Sequence, residues 1–76
     1  MHQRELTKHI GPLATSFSWR GYRAVLCRNP GRPSFSLKEI KGPPGSGDLR
    51  VESYSSPPGF AAHGRAVKIL TEWWGK

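Results

Sequence analysis

Ser16-Phe17-Ser18-Trp19-Arg20-Gly21-Tyr22-Arg23-Ala24-Val25-Leu26-Cys27-Arg28 is the stretch on which the fold turns. Phe17 and Trp19 share one alternating phase. After Gly21 the phase changes, and Tyr22, Ala24 and Leu26 fall together. Side chains on a strand alternate between faces, so the phase cannot change without a turn or a bulge. Trp19-Arg20-Gly21-Tyr22 is therefore either a tight hairpin or a glycine bulge.

Downstream, Asn29-Pro30-Gly31 marks a turn, and Ser34 to Lys41 is the next strand. Its Phe35 and Leu37 share a phase from which Ile40 departs. Asp48 to Tyr54 alternates well, with Leu49, Val51 and Ser53 on one side and Arg50, Glu52 and Tyr54 on the other. The period then changes. Phe60, His63, Val67, Leu70 and Trp74 form one apolar helical stripe, flanked by Ala66 and Trp73, with Arg65, Lys68 and Glu72 opposite. Ser56 is the expected N-cap, Pro57 the first helical residue and Gly75 the stop. Gly64 costs about 1 kcal/mol relative to Ala within this helix.

Upstream, Leu6 and Ile10 lie four apart and Gly11-Pro12 follows, which predicts a short helix over residues 3–10. The expected fold is α+β: an antiparallel meander of three or four strands, one face covered by the C-terminal helix. The single domain divides into an N-terminal arm or short helix (1–12), a meander (16–54) and a helix (57–74).

Composition bounds this picture. A chain of 76 residues allows one domain with a small core. Leu, Ile, Val and Phe together make up close to 20 % of it, low for a globular chain of net charge +7. Three Trp and two Tyr favour folding, because each aromatic carries a large buried area. The charge is uneven. No acid lies between Leu6 and Lys38, a stretch that holds Lys8, Arg20, Arg23, Arg28, Arg32 and Lys38. From Glu39 onward bases and acids nearly balance. Arginine suits forked phosphate contacts and stacking on bases.

Cys27 is the only cysteine, which favours a reducing compartment, and a cytoplasmic location is expected. No apolar run approaches the ~18 residues of a membrane span, so no membrane partner is expected. Met1 to Ile10 is too polar for a secretory signal.

Gly42-Pro43-Pro44-Gly45-Ser46-Gly47 resembles the start of a phosphate-binding loop, but the pattern then needs Lys and Ser or Thr. Here Asp48 and Leu49 follow, and the next residues alternate as a strand. A turn between strands is the expectation, with no nucleotide and no cofactor. His2, His9, His63 and Cys27 lack paired ligand spacing, so no metal is expected. Cys27 follows Ala24-Val25-Leu26, the setting of a packed and inert thiol. His63 lies on the apolar stripe as a core or boundary histidine. No catalytic residue emerges, and the chain is not expected to be an enzyme.

Arg20, Tyr22, Arg23, Arg28, Arg32 and Lys38 form the strongest constellation, on one strand and its turns. Basic side chains interleaved with aromatics hold phosphates and stack bases. Arg20, Tyr22 and Arg28 share one parity and Arg23 the other, so no face of that strand is purely basic. Trp19 is expected in the core. The expectation is a nucleic-acid-binding domain that contacts the phosphate backbone, within a ribonucleoprotein or alone. The alternative is a small adaptor or inhibitor that docks on an acidic protein surface, steered by its arginines and anchored by Trp73.

Overall fold

In the computed structural model, which describes residues 5–44 and 49–75, Trp19 and Tyr22 face each other across a two-residue turn. Arg20 and Gly21 both take positive φ, 49° and 85°. That conformation matches the twist of antiparallel strands, and the junction is a hairpin.

Five strands follow in order: β1 (Thr7–Ile10), β2 (Ala14–Trp19), β3 (Tyr22–Arg28), β4 (Ser34–Lys41) and β5 (Val51–Ser55). They pair antiparallel as a simple meander, and one helix, α1 (Phe60–Trp74), ends the fold. The architecture is α+β as expected, with five strands where three or four were predicted.

The extra strand is β1, and it replaces the helix predicted over 3–10. Thr7 to Ile10 pair with Ser18 to Thr15 along the edge of β2. All four residues of β1 are exposed, so no apolar stripe was available to hold a helix, whereas the strand satisfies its inner backbone groups on β2. Residues 3 and 4 lie outside the described residues.

The Asn29–Pro33 turn ties β3 to β4. The Asn29 amide donates to the Ser34 carbonyl at 2.9 Å. The Asn29 side chain donates to Ser34 Oγ and accepts from Ser36 Oγ, both at 3.0 Å. The register slips once between β3 and β4. Ala24 opposes Glu39 while Arg23 opposes Lys41, which leaves Ile40 as the extra residue of a bulge. This is why Ile40 departs from the phase of Phe35 and Leu37. The residue that keeps the phase is Glu39, and it is buried.

The helix covers one face of the sheet. Phe17, Ala24, Leu26, Phe35, Leu37 and Tyr54 meet Ala62, Ala66, Ile69, Leu70 and Trp74 in a single core. Full burial of one such large side chain contributes about 1.5–3 kcal/mol. The buried stripe is rotated from the expected one. Ala62 and Ala66 are fully buried, His63 and Val67 are half-buried, and Phe60 is exposed. Two alanines at the contact allow close approach to the sheet, and Tyr54 Oη donates to the Ala62 carbonyl at 2.7 Å. Hydrophobic weight alone places the stripe one step off.

The helix also starts later than predicted. Gly59, at φ 96°, occupies the N-cap without a side-chain cap. Ser56 turns away: its amide donates to the Pro33 carbonyl and its Oγ to the Pro57 carbonyl. Gly75 ends the helix as expected, its amide donating to the Thr71 carbonyl at 2.9 Å. Among the described residues no helix is long and apolar enough to cross a membrane. Of the predicted glycine-rich turn, residues 45–48 lie outside the described residues.

Candidate functional site

The sheet has one face under α1 and one face open. Paired residues of antiparallel strands project to the same side, so the register maps the open face. One row across it is His9, Ser16, Val25, Lys38 and Val51. The next, toward the Arg20-Gly21 hairpin, is Thr7, Ser18, Arg23 and Lys41. On the other side lie Ala14, Cys27, Ser36 and Ser53. The floor is thus a mixture of hydroxyl-bearing Ser and Thr with Ala14, Val25, Cys27 and Val51, and Arg23, Lys38 and Lys41 rise from one corner. Their backbones lie within about 5–10 Å of one another, given strand separations of ~4.8 Å and a rise of ~3.3 Å per residue.

The acids lie elsewhere. Glu39 is on the covered face, opposite Ala24, and Glu52 shares that side opposite Leu37. Glu72 is on the helix. Glu5 accepts from Trp19 Nε1 at 3.0 Å and lies 3.7 Å from an Arg20 Nη. Among the described residues, no strand carboxylate reaches the open face.

The six residues singled out from the sequence are dispersed by this geometry. Arg23 and Lys38 share the open face. Arg20, at the hairpin tip, holds its guanidinium 4.9 Å over the Trp19 ring and beside Glu5. Tyr22 faces the helix, with its ring 5.8 Å from that of Trp74 and 5.3 Å from that of Trp19. Arg28 has the helix-side parity of Leu26, at the far end of β3, about 17 Å along the strand from Arg23. Arg32 is exposed in the following turn. Sequence reasoning missed Lys41 and His9. Lys41 joins Arg23 only through the bulge, and His9 joins the face only because β1 is a strand.

Every aromatic side chain on the strands faces α1. Phe17, Phe35 and Tyr54 are buried, and Trp19 and Tyr22 pack against the core. The open face therefore offers cations and hydroxyls, and among the described residues its one ring is the imidazole of His9. Trp73 is half-buried, with the Arg50 guanidinium 5.1 Å over its ring.

A second cluster closes the hairpin end of the covered face. The Glu39 carboxylate is 1 % exposed. It accepts from Arg50 Nη2 at 2.7 Å, Arg50 Nε at 3.3 Å and Trp74 Nε1 at 2.7 Å. Burial alone raises its pKa, but the hydrogen bonds from Arg50 and Trp74 and the Arg50 charge outweigh burial and hold it below the usual range. Gly42 closes over the carboxylate so tightly that a Cβ there would lie 2.6 Å from Oε2. Each charge in the cluster has its partner, so its role is to clasp β4, β5 and the end of α1.

His63 sits at the opposite end, with Nε2 3.3 Å from Thr15 Oγ1. Burial, helped by the Lys8 charge, holds its imidazole below the usual range. Its Nδ1 is buried without a hydrogen-bond partner among the described residues. Cys27 is half-buried on the open face.

No protein-family model, curated protein or solved structure matches the chain.

Proposed function

We propose that this protein binds nucleic acid through the phosphate backbone, on the open face of its sheet. The observation that carries the reading is the gathering of Arg23, Lys38 and Lys41 on one corner of a flat, hydroxyl-lined surface, with His9 across the same face. Clustered cations attract a polyanion and release its counterions on contact. Ser and Thr hydroxyls add hydrogen bonds to phosphate and sugar, contacts that position a backbone without reading sequence. With no Phe, Tyr or Trp among the described residues of the face, binding is largely independent of base identity. Arg20, Arg28 and Arg32, at the ends of the sheet, act as outlying steering charges.

The test is a titration of the isotope-labelled protein with a mixed-sequence oligonucleotide, followed residue by residue in the amide spectrum. Shifts concentrated at Ser16, Ser18, Arg23, Lys38 and Lys41 are expected, similar for two unrelated sequences. Polyglutamate, acidic but without phosphate or sugar, should bind far more weakly. Equal binding of polyglutamate moves the reading to the alternative, an adaptor for an acidic protein surface. Shifts confined to the outer surface of α1 contradict binding on the open face.

A further inference from the structure

We infer that the edge of β1, with the apolar corner beside it, binds an extended peptide of another protein whose helix-side residues, every second one along the strand, are apolar and acidic in turn. This is a second interface, separate from the open face and independent of any role there.

Three of the most exposed large apolar side chains gather at this corner: Ile10 at 60 %, Leu13 at 91 % and Phe60 at 84 %. Ile10 pairs with Thr15, and Thr15 meets His63 of the first helical turns. Lys8, on the same side of β1 as Ile10, holds its ammonium 5.8 Å from the centre of the Phe60 ring. Leu13 stands on the turn that follows β1 and lines a recess of about 140 Å³ together with Leu26, Arg28, Phe35 and His63. In a chain so poor in large apolar residues, leaving three of them in water at one corner is costly unless something covers them.

The backbone supplies the second half of the interface. Among the described residues β1 is the edge of the sheet, and all four of its residues are exposed. An edge strand presents a row of unpaired donors and acceptors, the template for addition of a strand. The other edge is guarded. Beside β5 runs a groove lined by Glu52, Arg65, Lys68 and Glu72, charged in both signs, and Pro57-Pro58 follows the strand. Toward the Ile10 end of β1 the nearby charges are of one sign, Lys8 on the strand and Arg28 at the recess, while the acid that precedes β1, Glu5, is engaged by Trp19 and Arg20 at the hairpin end. The first turn of α1 carries no acid.

These charges select the occupant. A second copy of this chain would oppose Lys8 and His9 to their own counterparts, in a protein of net charge +7. A peptide with apolar residues facing Ile10 and Phe60 and carboxylates near Lys8 and Arg28 covers the patch, completes the backbone pairing and neutralises the cations.

The test uses the full chain and a short, end-capped synthetic peptide in which Val and Glu take turns at every second position, with Ser between them, so that both fall on one face. Expected are saturable binding, amide shifts at residues 7–10, 13 and 60, and slowed hydrogen exchange along β1. The double variant Leu13→Ser, Phe60→Ser, changed at exposed positions that leave the core intact, should weaken binding about tenfold. Arg23→Ala should leave it unchanged, which separates this interface from the open face. The inference is overturned by absence of binding, by equal binding of a Val-Lys or a backbone N-methylated peptide, by shifts confined to Arg23, Lys38 and Lys41, or by self-association through β1 instead.

Discussion

The indole N–H of Trp74 donates a 2.7 Å hydrogen bond to the Glu39 carboxylate, joining the last turn of α1 to the inside of β4. Arg50 brings the strand after the glycine-rich loop to the same carboxylate. Three separate segments therefore meet on one buried charge. Breaking any arm leaves a charged or polar group in the core without a full set of partners, which is costly.

Trp74→Phe keeps most of the packing and removes the donor. It should lower the free energy of unfolding by about 1–3 kcal/mol, measured by urea denaturation. Glu39→Ala should cost at least as much, tempered because the Arg50 side chain is 34 % exposed and can turn to water. For a domain this small, of a few kcal/mol total stability, either loss populates unfolded chain. Unchanged midpoints for both variants would remove the clasp from the account.

Gly42→Ala tests the same cluster from outside. A Cβ there meets the Glu39 carboxylate at 2.6 Å, and Arg50 and Trp74 leave that carboxylate little room to yield. The cost should be about 1–3 kcal/mol, the usual range for overpacking. It should shrink when Glu39→Ala is present, so the double variant is less unstable than the sum of the singles.

Stability should fall at both ends of the pH range. Glu39 ionises more readily in the folded chain than in the unfolded one, so its stabilisation is present above the ordinary value of 4.5 and is lost as pH falls through the lower folded value. His63, also shifted down, contributes a milder loss that begins below its ordinary 6.5, because the unfolded chain takes up the proton first. Tyr54 has the opposite sign. Burial pushes its phenol up to about 12 from 10.0, so stability is lost as pH rises between those values. Glu39→Gln should flatten the acid limb, His63→Phe its upper part, and Tyr54→Phe the alkaline limb. Denaturation midpoints across pH read all three.

Much of the fold was legible in the sequence. The phase change at Gly21, the Asn29-Pro30-Gly31 turn and the alternation up to Tyr54 mark real strand boundaries, because each rests on local backbone chemistry. The misses are tertiary. β1 has no apolar pattern of its own and is a strand only because β2 offers an edge. Glu39 sits in a core position that no hydrophobic pattern would assign, since Arg50 and Trp74 arrive from distant segments to satisfy it. The site was half visible for the same reason. Arg23 has odd parity and Lys38 even, so nothing in the linear chain says that they share a face. The register and the bulge at Ile40 bring them together with Lys41. Parity likewise suggested Arg20, Tyr22 and Arg28 as a group, whereas Tyr22 packs against Trp74 and Arg28 lies at the far end of the strand.

The most direct test of the central claim is the salt dependence of nucleic-acid affinity, compared between wild type and single variants of the open face. If the phosphate backbone is held there, log K should fall linearly with log salt. Arg23→Ala, Lys38→Ala and Lys41→Ala should each reduce the slope by about 0.9 for duplex DNA or about 0.7 for a single strand, nearly regardless of sequence. Arg65→Ala, whose guanidinium lies 5.4 Å over the Tyr54 ring on the helix side of the sheet, should leave the slope unchanged. A wild-type slope near zero, or a slope as sensitive to Arg65 as to Arg23, would contradict binding on the open face.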